Sequence, residues 1–111
     1  MTERDRKVLE KICKEVDVGI KILGDIEFDE FIANEITKRA VCMTVINIGE
    51  LVKGISDETR TKYPKILWKQ IAGMRDIAAH KYATIDMNDV YDTVKNNFPE
   101  LKVQLNDILS E

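Results

Sequence analysis

Apolar residues recur at steps of three and four along almost the whole chain, and this rhythm limits the fold more than any other feature. Leu9, Cys13, Val16, Ile20 and Leu23 fall on one face of a helix that turns about 100° per residue. Thr2 is placed to cap that helix and Gly24 to end it, which predicts a helix from Thr2 to Leu23. Residues 25–34, with Ile26, Phe28, Phe31 and Ile32, read as a short helix or helical turn. From Glu35 to Ile55 the chain carries two apolar stripes, Val41-Val45-Ile48-Val52-Ile55 and Ile36-Ala40-Met43-Leu51, the pattern of a helix in the middle of a bundle. The Val, Thr and Ile content of 40–48 would also suit a strand. No second strand is there to pair with it, and a lone strand leaves its backbone groups unbonded, so helix is expected.

Beyond Ile55 the signals are shorter. Ser56 followed by Asp57, Glu58 and Thr59 resembles a helix cap with acids in the first turn, and Pro64 interrupts the chain soon after it. Leu67, Ile71, Met74 and Ala78 then recur at helical spacing between Lys65 and about Tyr82. Asp86 caps a further helix with Met87, Val90, Val94 and Phe98 on one face, and Pro99 opens a last one bearing Leu101, Leu105 and Ile108. The expected architecture is all-α, an up-and-down bundle of about five helices joined by short loops, with residues 1–111 forming a single domain.

Several function classes drop out on composition. With 111 residues and no apolar stretch near the ~20 needed to span a bilayer, a membrane role is not expected. The start, Met1-Thr-Glu-Arg-Asp-Arg, lacks the apolar core of a secretory signal, and a cytoplasmic location is expected. Cys13 and Cys42 form no CxxC pair and read as reduced thiols, and a single histidine provides no metal-ligand cluster within one chain. The net charge of −3 argues against a protein that coats nucleic acid nonspecifically. Residues 60–82, however, carry six basic side chains against one acid, leaving −8 on the rest. That segment is either an ordinary solvated face or a phosphate-binding one, with Lys69 and Lys81 as candidate RNA contacts.

Chemistry concentrates at Met74-Arg75-Asp76-Ile77-Ala78-Ala79-His80-Lys81-Tyr82, which gathers the sole histidine, a permanently charged arginine, a carboxylate and a phenol. On a helix Asp76 and His80 lie about 40° apart and within reach, and Arg75 and Tyr82 fall nearly on one line. Arg75 and His80 diverge by about 140°, so they converge on one phosphate only if the helix unwinds or a second copy supplies the missing half. Attack by a ribose 2′-hydroxyl needs a base, an acid for the leaving 5′-oxygen and positive charge at the phosphate, which two histidines and two arginines provide. The duller readings are an Asp–His structural pair, an arginine bridging helices, and Tyr82 as a packing residue. Trp68 is read as core rather than as a base-stacking platform beside Tyr63. Asn47 and Glu50, polar on the central helix, either touch the site from behind or are simply exposed, exposure being the simpler account.

The string Arg75-x-x-x-x-His80-x-Tyr82 resembles the R-x4-H-x-Y motif of HepT-like toxins, a prokaryotic branch of the HEPN superfamily of small helical ribonucleases. Trp68-Lys69-Gln70-Ile71-Ala72-Gly73 is similar to that family's Trp-x-x-Ile-x-Gly run, and Ile48-Gly49-Glu50 to its central Ile-Gly-Glu; Asp86 and Phe98-Pro99-Glu100-Leu101 also match in kind and spacing. The resemblance implies a homodimeric, metal-independent endoribonuclease without cofactor, acting on RNA rather than DNA through Arg75 and His80 of both protomers, with Asp76 orienting the site. It further implies a type VII toxin–antitoxin module, in which a minimal nucleotidyltransferase antitoxin transfers AMP onto Tyr82 and silences the enzyme. The alternative within the same superfamily is a non-catalytic nucleotide- or RNA-binding or dimerisation adaptor.

Overall fold

The computed structural model describes residues 1–80, 82 and 86–111, and the side chains of all of these except Ile77, Ala79 and His80. Among the described residues there is no strand. Helix α1 (Glu3–Leu23) begins where the Thr2 hydroxyl accepts the Asp5 amide at 3.0 Å and ends at Gly24, whose φ of 53° is left-handed and suits a residue without Cβ. Leu9, Ile12, Val16 and Leu23 are buried, while Cys13 and Ile20 sit half-buried at the edges of that face. Short α2 (Phe28–Ala33) buries Phe31 against Tyr91, with ring centroids 5.4 Å apart, and the Tyr91 hydroxyl donates to the Ile26 carbonyl at 2.6 Å.

Central helix α3 (Glu35–Lys53) is capped by Asn34, whose side chain accepts the Thr37 amide at 3.0 Å. One of its two apolar stripes, Val41, Val45, Ile48 and Val52, is buried throughout. The other is not. Ile36 is 82% exposed and Met43 57% exposed, with Ala40 and Leu51 only half-buried, so α3 lies against neighbours on one apolar face and leaves the second to solvent. The expected central position holds, since α3 packs on α1 and on the helix Trp68–His80, but Ile36 and Met43 of the second stripe lie outside those contacts.

Ser56 caps α4 (Asp57–Lys62) as expected. Around it, buried Asp5 accepts from the Ser56 amide at 3.2 Å, the Ser56 hydroxyl at 2.5 Å and the Thr59 hydroxyl at 2.6 Å, tying the start of α1 to the end of α3. Helix α5 (Trp68–His80) starts three residues later than the periodicity suggests, because Leu67 projects into solvent and the buried anchors are Ile66 and Trp68. The indole Nε1 donates to the Tyr63 carbonyl at 3.0 Å, so Trp68 is a core residue.

The two terminal helices expected on either side of Pro99 form one continuous rod. Helix α6 (Met87–Asp92) passes through a π-helical turn (Thr93–Asn97) into α7 (Phe98–Leu109), and the Phe98 amide bonds back to Thr93 rather than to Val94. Pro99 has no N–H for the Lys95 carbonyl and its ring would press on it, and the wider turn accommodates both facts without breaking the helix. Arg6 donates to the Leu109 carbonyl at 2.9 Å, Lys102 pairs with Asp17, and Gly19 abuts Phe98, so α7 runs antiparallel to α1. Asp5 beside Ser56 and Gly19 beside Thr44 make α3 antiparallel to α1 as well. The long helices therefore alternate in direction, an all-α up-and-down bundle. No helix among the described residues is long and apolar enough to cross a membrane.

Candidate active site

Helix α5 lies antiparallel on α3, and their closest approach is at Gly49. A Cβ built there would stand 3.1 Å from Arg75 Cγ and 3.2 Å from Arg75 Cα, and closer still to Arg75 Cβ, so this mid-helix glycine is what admits the Arg75 backbone. The aliphatic stem of Arg75 rests on the bare α3 backbone, and its head emerges beside the next residue, Glu50.

The guanidinium sits in a cluster of alternating charge. Arg75 Nε pairs with Glu50 Oε1, and Arg75 Nη1 donates to Asp76 Oδ1 at 3.2 Å. The same Asp76 oxygen accepts from Lys53 Nζ at 3.1 Å, and Lys53 returns to Glu50 at 4.0 Å. Two cations and two anions thus close a ring whose formal charge is zero. Lys53 first and Arg75 second hold the Asp76 carboxyl below its ordinary range. Arg75 is the most enclosed member, its side chain 25% exposed against 56% for Asp76. Glu50 and Asp76 together fix the plane of the Arg75 guanidinium, the group whose planar fork suits bidentate binding of phosphate.

Tyr82 lies toward the other end of α3. Its hydroxyl donates to Glu35 Oε1 at 2.9 Å and the Arg39 guanidinium stands 4.9 Å from its ring centre. Burial, then the Glu35 hydrogen bond, raises its phenol above the ordinary value, with Arg39 opposing. Glu35 itself is held low, by Lys38 first and then by Tyr82. Arg75 and Tyr82 both face α3, as their helical phase requires, but they are engaged at opposite ends of it.

The structure does not unite every residue that the sequence singled out. Lys69 is exposed in the first turn of α5, about 120° around the helix from Arg75, and does not join the cluster. His80 closes the α5 backbone, but its side chain lies outside the described residues, as does the whole of Lys81, and with them the expected Asp76–His80 contact. Lys53 is the cluster residue that sequence reading passed over, whereas Glu50 was singled out there as either touching the site from behind or simply exposed. Glu50 is exposed, as the simpler account held, yet it grips Arg75. The signal for it was Gly49, a glycine inside a strongly apolar helix, which marks close approach by another backbone. Among the described residues no group of three or more His, Cys, Asp or Glu is gathered as metal ligands.

The comparisons with known proteins agree with this geometry. A model of the family described as Ribonuclease HepT-like matches residues 8–108. The chain is 35% identical over 106 residues to "Putative RNase TTE0752" of Caldanaerobacter subterraneus subsp. tengcongensis, covering 96% of this chain and 95% of the relative. It is 38% identical over 112 residues to "Putative RNase MJ0125" of Methanocaldococcus jannaschii, covering 100% and 97%. It is also 30% identical over 102 residues to "Probable ribonuclease HepT" of Thermococcus cleftensis, covering 92% and 93%. No solved structure is significantly similar. With a family match over nearly its full length and the R-x4-H-x-Y arginine seated at the α3–α5 crossing, the chain belongs to the HepT-like ribonuclease family.

Proposed function

We propose that the protein is a metal-independent endoribonuclease that works as a homodimer, with Arg75 and His80 of both protomers facing one cleft. The observation that carries this reading is the seating of Arg75: a bare glycine on α3 admits it, and Glu50 and Asp76 hold its guanidinium in a fixed plane at the arginine position of a HepT-like chain. A guanidinium there binds the scissile phosphate and stabilises its added negative charge in the transition state. His80 moves the protons: one imidazole accepts the 2′-hydroxyl proton as that oxygen attacks phosphorus, and the other donates to the departing 5′-oxygen. The reference pKa of His, ~6.5, suits both roles near neutrality.

A second copy is part of the reading because a straight helix points Arg75 and His80 about 140° apart. The exposed apolar face of α3, with Ile36 and Met43, supports that assembly, since such a face gains by being covered. The regulatory half follows from Tyr82. In a toxin–antitoxin pair, a nucleotidyltransferase antitoxin would add AMP through the Tyr82 oxygen, displacing pyrophosphate from ATP. Glu35, which already accepts the phenolic hydrogen, is positioned to take that proton. Arg39 would then face the new phosphate.

Arg75→Ala and His80→Ala are expected to abolish cleavage of single-stranded RNA while leaving a folded dimer, and wild-type cleavage is expected to survive a chelator. Undiminished cutting by both variants overturns the assignment. RNA binding by wild type without cut products would replace it with the adaptor reading. Intact-mass measurement after co-expression with a neighbouring nucleotidyltransferase, on wild type and Tyr82→Phe, tests the modification.

A further inference from the structure

A cleft of about 390 Å³ opens between α1 and α3, lined by Lys11, Lys14, Glu15, Asn47, Glu50 and Leu51. We propose that it is the subsite for the nucleotide next to the reacting phosphate, with Lys11 and Lys14 binding the RNA backbone and Asn47 meeting the base. This rests on the ribonuclease reading and extends it to a part of the molecule outside the R-x4-H-x-Y segment.

Lys7, Lys11 and Lys14 are exposed and spaced by four and three, which places them within about 60° of one another along roughly 10.5 Å of α1. Three other lysines are committed, Lys38 to Glu35, Lys53 to Asp76 and Lys102 to Asp17, while Lys21, Lys65 and Lys69 are exposed but do not line the cleft. Among the described residues no carboxylate lies within ion-pair distance of Lys7, Lys11 or Lys14, so their ammonium groups are not tied to Glu10 or Glu15 on the same stretch of α1 and can turn to a phosphate. A cationic edge that tracks a backbone beside surfaces for bases is how single-stranded nucleic acids are held.

Across the cleft from the lysines, Asn47 is half-buried in the α3 wall. Among the described residues its amide makes no side-chain hydrogen bond, leaving a donor and an acceptor for a base edge. Leu51 gives an apolar surface beside it. Glu15 and Glu50 keep a bare phosphate off the floor, so the phosphate stays at the lysine edge and the uncharged ring lies inside. The cleft also adjoins the arginine cluster, because Glu50 both lines it and pairs with Arg75. Among the described residues Glu50 is thus the one that belongs to both the cleft lining and the arginine cluster. The volume falls within the ~300–1,000 Å³ of small-ligand sites.

The test uses a short single-stranded RNA methylated at every 2′-oxygen, which can bind but lacks the attacking hydroxyl. Its affinity is measured across salt concentrations for wild type, Lys11→Gln/Lys14→Gln, Asn47→Ala and the charge control Lys62→Gln/Lys95→Gln, each checked for unchanged oligomeric state. Removing two phosphate contacts should lower the slope of log affinity against log salt by about 1.4, so wild type loses about sevenfold more affinity than the double variant between ~50 and ~200 mM salt. Asn47→Ala should weaken binding without changing the slope. On cleavable RNA the lysine variant should raise KM and keep kcat. A lysine variant that behaves like the charge control while wild type cleaves RNA overturns the subsite and leaves the ribonuclease reading standing. Lysine-dependent binding by a wild type that never cleaves does the reverse.

Discussion

Adding one methyl group at Gly49 is the sharpest perturbation of the arrangement that holds Arg75. In Gly49→Ala the new Cβ would lie 3.1 Å from Arg75 Cγ and 3.2 Å from Arg75 Cα, inside the 3.4–4 Å of ordinary contact, and it presses hardest on Arg75 Cβ. Backbone stands behind those atoms, so no rotamer change relieves the clash and α5 must retreat by on the order of 1 Å. Overpacking of this kind costs about 1–3 kcal/mol, offset by about 1 kcal/mol from the better helix propensity of Ala. The net loss of up to about 2 kcal/mol should lower Tm by up to roughly 10 °C in a chain of this size. A reacting group displaced by ~1 Å can lose ~10²-fold in rate, so cleavage should fall further than stability does. Thermal melts followed by circular dichroism and cleavage kinetics at saturating RNA read both quantities. Gly73→Ala on α5 is the control: an added Cβ there meets nothing within 4 Å, and the variant should gain up to ~1 kcal/mol. A Gly49→Ala protein as stable as wild type and fully active would refute the close α3–α5 contact and with it the account of how Arg75 is placed.

Asp5→Asn should cost about 1–3 kcal/mol at neutral pH by weakening the acceptor of three hydrogen bonds. Burial alone would raise the Asp5 carboxyl, but the Ser56 and Thr59 hydrogen bonds, helped by Arg4, hold it below the ordinary value. Its contribution is therefore present above the unfolded pKa of ~3.9 and lost as pH falls through the lower folded value, so melts of wild type and variant should converge in acid. Leu105→Ala removes a fully buried side chain and should lower stability by about 2–5 kcal/mol in denaturant titration. Glu50→Ala removes the partner of Arg75 Nε, an atom closed off from solvent, and the expectation is a large fall in kcat with a smaller loss of stability, about 1 kcal/mol. Equal losses in both would make Glu50 a structural residue only.

Much of the bundle was legible in the chain. The caps at Thr2, Ser56 and Asp86 act through side-chain acceptors bonded to amides two or three residues ahead, which is local chemistry that sequence displays directly. The stripe Val41-Val45-Ile48-Val52 was likewise visible, because burial of one helix face leaves a period in the sequence. Pro99 was seen to fall in the first turn of a helix, but that the chain widens into a π turn there rather than breaking depends on the packing of Val94 and Phe98 before the proline and Leu101 after it, which no local rule reports. Of the candidate site, Arg75 and Asp76 were named from their spacing. Lys53 was not, and Glu50 was left between touching the site and simple exposure, because both come from α3 and reach α5 only across the Gly49 contact.

The amino-acid sequence alone determined that this chain is helical throughout its core, where its helices begin, and which segment holds an arginine, a carboxylate and a phenol at fixed helical phase. Those properties depend on interactions within one or two turns. Only the tertiary structure decided that a second apolar face of α3 stays uncovered, that Arg75 is threaded over a glycine into a charge-balanced ring, and that α1 and α3 leave a lysine-edged cleft next to it. Each of these depends on the distance between helices remote in sequence, which is set by how the whole core packs.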